Sequence, residues 1–154
     1  MRILPFLLVL VLCGCGLNHD PAPIKPNLGQ AQIIWSDRVD QDDQTYSSYS
    51  EVKQCLESNG MFSPTSKELP RVIIVDRWFY CGDVFTFGCT IFSENAVYVT
   101  ASMINYKYTY SSSGVEHVTY VLNHELTHLL SGVWNEGHGN DANMTFFHEC
   151  ETHT

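Results

Sequence analysis

The chain has 154 residues, with 17 acidic against 8 basic side chains and a formal net charge of −9 at pH 7. Lysine and arginine cluster nowhere along it, so a nucleic-acid partner is disfavoured on electrostatic grounds. The length suits one small domain with a modest core and leaves no room for a second.

Met1-Arg2 followed by the apolar run Ile3 to Leu12 has the form of an export signal. About ten apolar residues are too few to span a bilayer, which takes about 20. The run ends Leu12-Cys13-Gly14-Cys15, which resembles the bacterial lipobox. That resemblance implies a signal peptide over residues 1–14 and lipidation of Cys15, palmitate included, with the protein held by its N-terminal lipid in the bacterial cell envelope. Gly16 in place of aspartate after the cysteine points, by the same resemblance, to the outer membrane, in its periplasmic or surface leaflet. The competing reading is an ordinary cleaved signal in which Cys13 and Cys15 are incidental. Residues 15–29 contain Pro21, Pro23 and Pro26 and few apolar side chains, which predicts a semi-extended tether. Residues 30–154 are then the folded domain.

Asp40, Asp42 and Asp43 precede Tyr46, Tyr49, Val52, Cys55 and Leu56 at near-helical spacing, which predicts a helix over Thr45 to Ser58 with an acidic start. The acidic run lacks the glycine and distal glutamate of a calcium loop. Asn59-Gly60 is placed to end the helix. Arg71 to Asp76, with Val72, Ile73, Ile74 and Val75 in succession, reads as a buried central strand. Trp78 to Gly88 is aromatic and punctuated by glycine, and it reads as a disulfide-closed excursion that either overhangs a cleft or packs only for stability. Ala96 to Ala101 alternates Val97 and Val99 with Tyr98 and Thr100, which predicts a half-exposed strand. Residues 30–154 hold four cysteines, Cys55, Cys81, Cys89 and Cys150, an even number that suits two disulfides in an exported protein. Of three possible pairings, Cys81 with Cys89 and Cys55 with Cys150 are favoured.

Val115, Val118, Val121, Leu122, Leu126, Leu129 and Leu130 recur at three- and four-residue steps, which predicts an amphipathic helix, with Ser113-Gly114-Val115-Glu116 as a capping box and Gly132 as its stop. His124-Glu125-Leu126-Thr127-His128 falls in the middle of it. Positions i and i+4 share a helix face, so both imidazoles can reach one metal ion while Glu125 faces the water bound there. With 7 histidines in the chain, the pattern arises by chance only roughly 0.02 times. The bland alternative is a surface helix with solvated His and Glu.

Motif and element order together resemble the zincin metallopeptidases. The resemblance implies an α+β fold, a minimal zincin-like domain with a small twisted sheet packed on the HExxH helix, here stabilised by disulfides. It implies Zn2+ held by His124 and His128, Glu125 as catalytic general base, a peptide or protein substrate, and a monomer. It also gives the strand before the helix, Asn95 to Ala101, the place of an edge strand along the cleft. Trp134 stands where metzincins carry the last histidine of their motif. A catalytic zinc takes three protein ligands, and the residues after His128 offer Glu136, His138, Asp141, His148, Glu149 and Glu151. His138, flanked by Gly137 and Gly139, is favoured as third ligand. Glu149 is the alternative, since it lies near the spacing at which gluzincins supply a glutamate. Leu129-Leu130, His138, Phe146-Phe147 and Cys150 also resemble a group of exported bacterial lipoproteins with the same motif. A second reading keeps the scaffold without catalysis, as a binding or immunity module with zinc structural or absent.

Overall fold

The computed structural model describes residues 26–39, 43–104, 107–112, 115–133 and 145–152. Cys15, the export signal and His138 lie outside the described residues, as do Ser113 and Gly114. Among the described residues no helix is long and apolar enough to cross a membrane.

The fold is mixed α+β, and a four-stranded sheet lies at its centre. The strands are β2 (Ile33–Arg38), β3 (Arg71–Val75), β6 (Gly88–Ile91) and β7 (Ala96–Thr100), in the order β2-β3-β7-β6, with β3 and β7 parallel and the other pairs antiparallel. The helix α1 (Asp43–Ser58) forms as its spacing predicts, starting two residues earlier, and it ends at Asn59-Gly60, where Gly60 takes a left-handed φ of 67°. On one sheet face, Val72, Val97 and Val99 pack with Val52 and Leu56 of α1 and with Leu122, Leu126 and Leu129 of α2 (Val121–Ser131). On the other face, Ile73, Val75, Ala96, Tyr98 and Cys89 pack with Phe79, Leu28 and Ala31.

Phe79 belongs to a second, three-stranded sheet ordered β1 (Pro26–Asn27), β4 (Phe79–Cys81) and β5 (Val84–Thr86). The molecule therefore stacks helices, central sheet and outer sheet. Pro26 pairs with Cys81 and Asn27 with Tyr80, so the segment expected to be tether as far as Gly29 enters the fold by Pro26. The expected excursion from Trp78 is this β4–β5 hairpin, closed by the disulfide Cys81–Cys89; the second disulfide joins Cys55 to Cys150. Both favoured pairings are present.

Two expectations are corrected. The strand β7 is buried along its whole length and lies between β3 and β6, so it is neither half-exposed nor an edge; β6 is the edge strand on that side. Its alternation of valine with Tyr98 and Thr100 reflects two different apolar layers rather than core and solvent. The helical stripe also begins too early. Val115–Tyr120 is strand β9, hairpin partner of β8 (Lys107–Ser112), and helix starts only at Val121. Val115 and Glu116 of the expected capping box lie in strand β9 instead of opening a helix, and β-branched Val115, Val118 and Thr119 suit the hairpin that the valine spacing disguised.

Candidate metal centre

Strand β9 runs straight into α2 at Tyr120, whose backbone is still extended at φ −106° and ψ 135°. The helix ends at Gly132, left-handed at φ 69°, with its N–H on the His128 carbonyl at 3.0 Å. Glycine is required there twice over, by its φ and because a Cβ would meet the Ser63 carbonyl at 3.1 Å. That turn brings the Val133 carbonyl to 2.8 Å from Nδ1 of His128. A carbonyl only accepts, so Nδ1 carries the proton and, in the neutral ring, Nε2 is the nitrogen with the lone pair.

His124 is fixed in the same sense by another element. The helix α3 (Thr145–Glu151) places Glu151 Oε2 at 2.5 Å from His124 Nδ1, and Glu151 is only 1% exposed. Phe147, fully buried on the same helix, lays its ring 4.5 Å from the His128 ring and 5.4 Å from that of His124. Seven residues are too few for a helix to hold itself, and the Cys55–Cys150 disulfide ties α3 to α1. The two motif rings lie 4.8 Å apart, nearly perpendicular at 87°.

Glu125 points from α2 toward the edge strand β6. Its carboxylate Oε2 and its backbone carbonyl both lie 2.8 Å from the Thr90 hydroxyl and share its single hydrogen. Gly88 makes this approach possible, since a Cβ there would stand 2.5 Å from Glu125 Oε1 and 2.9 Å from Val121 Cγ1. Burial raises the Glu125 pKa, against the lowering pull of His124 and of the Thr90 hydrogen bond. For His124 burial acts to lower the pKa, but the hydrogen bond it donates to Glu151 and the charges of Glu125 and Glu151 outweigh it, leaving the net shift upward. A carboxylate pair therefore surrounds His124 with negative potential.

Of the residues singled out in the sequence, His124, Glu125 and His128 share one helix, and the two imidazoles are neighbours. Glu149 is exposed and its backbone carbonyl accepts from the Thr152 hydroxyl, while the buried residues of α3 are Phe147, Cys150 and Glu151. Glu151 is the acidic residue of this helix that bonds a motif histidine. Among the described residues no three side chains of His, Cys, Asp or Glu are grouped to hold a metal ion. Two imidazoles with Nδ1 committed to oxygen acceptors nevertheless suit the donor chemistry of a zinc site, in which ligand histidines present one nitrogen and anchor the other.

Sequence reasoning gave no role to Thr90, Gly88 or Phe147 in the site, and it placed Glu151 only among several third-ligand candidates. Thr90 and Gly88 are brought in by strand register, which no local pattern reveals. Comparison with protein families, with curated proteins and with solved structures finds no match to this chain.

Proposed function

We propose that this protein is a zincin-like zinc metallopeptidase that hydrolyses peptide bonds, held in the bacterial envelope by a lipid on Cys15. The observation that carries the reading is the pair of motif imidazoles on one helix, each with Nδ1 hydrogen-bonded to an oxygen, one to Glu151 and one to the Val133 carbonyl. His124 and His128 would hold the ion through Nε2, with His138 as third ligand. When bound, zinc polarises the scissile carbonyl and acidifies a water molecule.

The chain's own residues do the rest. Glu125 would accept a proton from the attacking water on its carboxylate as the new C–O bond forms at the scissile carbonyl carbon, and the C–N bond would break once Glu125 has delivered that proton to the leaving nitrogen. Thr90 holds the carboxylate from the strand side, and Glu151 keeps the His124 ring in one orientation.

Zinc content and cleavage of a peptide library, measured on the full chain and on Glu125→Gln, test the reading. Zinc retained by both proteins with cleavage abolished in the variant supports it. Zinc-loaded full chain that cleaves nothing in the library would instead favour the binding or immunity module.

A further inference from the structure

Among the described residues, seven large apolar side chains are exposed; Ile33 and Ile34 lie on β2 and Tyr46 on α1, and the other four share one hairpin and its lead-in, Trp78 at 42%, Tyr80 at 49%, Val84 at 58% and Phe85 at 56%. Three of them form a continuous aromatic surface. The Phe85 ring stands 5.7 Å from Trp78 and 5.2 Å from Tyr80, across the β4–β5 pairing that sets Tyr80 opposite Phe85. The inner side of the same hairpin is committed to the core through Phe79, so Tyr80 and Phe85 lie on the outer face of the outer sheet, and Trp78 extends that surface at its margin, where its ring also meets Phe87 at 5.0 Å.

Where the chain enters the fold decides what can cover that face. Strand β1 pairs Asn27 directly with Tyr80, and Pro26 follows Cys15 by 11 positions. Even fully extended, that length spans at most about 40 Å. A lipid on Cys15 would therefore hold this edge of the domain, with its Trp and Tyr, within reach of the bilayer. Trp and Tyr rings favour the headgroup level, where an apolar body and a polar tip are both satisfied. Charge argues against an electrostatic partner: Arg77 is paired with Asp76, Asp83 is exposed in the turn, and the chain is strongly acidic.

We propose that the Trp78, Tyr80 and Phe85 face seats on the phospholipid bilayer that carries the lipid anchor. This inference rests on the anchoring at Cys15 and is independent of the peptidase chemistry. Seated so, the outer sheet lies against lipid while α2 and its histidines stand on the opposite face of the central sheet, toward the aqueous side.

The test uses the full lipidated chain in vesicles of phosphatidylcholine and phosphatidylethanolamine carrying brominated acyl chains. Wild type should lose Trp78 emission to the bromine quencher, seen as the difference from Trp78→Phe, and Tyr80→Ser with Phe85→Ser should abolish that loss while the chain still sediments with the vesicles. Sedimentation with unquenched Trp78 overturns the seating and leaves the anchor standing. Failure to sediment overturns both, without touching the cleavage assay. Protection of Trp78 from an aqueous quencher that grows with protein concentration in the absence of lipid assigns the face to a second copy and overturns the proposal as well.

Discussion

Glu151 Oε2 lies 2.5 Å from His124 Nδ1, and these two residues, 27 positions apart, connect a seven-residue helix to the motif helix. The carboxylate is buried and fixes the ring tautomer, which is how an outer partner tunes a metal-binding histidine. Glu151→Gln should therefore weaken zinc binding by about 10- to 100-fold, read by competition with a chromogenic chelator. Glu149→Gln should leave the affinity unchanged. The reverse pattern would return the third-ligand role to Glu149.

The staple behind Glu151 gives a second expectation. Cys55 and Cys150 close a loop of 95 residues, whereas Cys81 and Cys89 close one of 8. In the chain-entropy account these contribute about 4.7 and about 2.5 kcal/mol respectively. Replacing the first pair by serine should cost more stability and also loosen zinc binding, because α3 carries Phe147 and Glu151 against the histidines. Replacing the second pair should lower the denaturation midpoint and leave zinc affinity alone. Equal effects on zinc from both pairs would remove α3 from the argument.

The strand side of the site is tested at Gly88 and Thr90. An alanine Cβ at Gly88 stands 2.5 Å from Glu125 Oε1, so Gly88→Ala must push the carboxylate aside. Misplacement of a reacting group by about 1 Å costs on the order of 100-fold in rate, and zinc content should stay near stoichiometric. Thr90→Val removes one hydrogen bond worth about 1 kcal/mol, or about fivefold in kcat. Loss of zinc in step with loss of rate would show that these positions support the fold rather than the base.

The Gly132 turn can be probed in the same way. An alanine forced into its left-handed backbone costs about 1–2 kcal/mol, and its Cβ would crowd the Ser63 carbonyl. Gly132→Ala should lower the melting temperature and weaken zinc binding, since the Val133 carbonyl no longer meets His128. A destabilised protein with unaltered zinc affinity would separate His128 orientation from the turn.

What the sequence made legible follows from how local each signal is. The helix at Asp43–Ser58, the strand at Arg71–Val75 and the stop at Gly132 each rest on a short periodicity or one glycine, and each appears in place. Tyr98 misled because alternation reports two environments without saying that both are dry. Val115 and Val118 misled because valines three apart fit a helix stripe as well as a strand that pairs with Lys107–Ser112. For the site, the place of His124, Glu125 and His128 on one helix was readable because they lie within about one turn. Thr90, Gly88 and the choice of Glu151 over Glu149 were not, because sheet register and a disulfide between distant residues bring them in.

Asp76, the residue after β3, makes a small contribution to stability that depends on acid pH. Its Oδ1 accepts the Gln32 N–H at 2.8 Å, and Arg77 grips both carboxylate oxygens at 3.1 and 2.8 Å. The Arg77 hydrogen bonds, helped by the Gln32 N–H, hold its pKa down at about 2, against 3.8 for an ordinary aspartate. A carboxyl with a depressed folded-state pKa contributes stability that is complete above the unfolded value and is lost as pH falls through the folded one. The contribution should therefore fade between about pH 4 and pH 2, and Asp76→Asn should flatten that part of the melting-temperature profile. Because the pair is solvent-accessible, its worth is small and salt should reduce the Arg77 share, while the Gln32 bond that pins the β1–β2 connection to β3 persists. Carbon-detected titration of the Asp76 carboxyl checks the origin directly: Arg77→Gln should move it part of the way back up, and a wild-type carboxyl titrating at the ordinary value would remove the effect altogether.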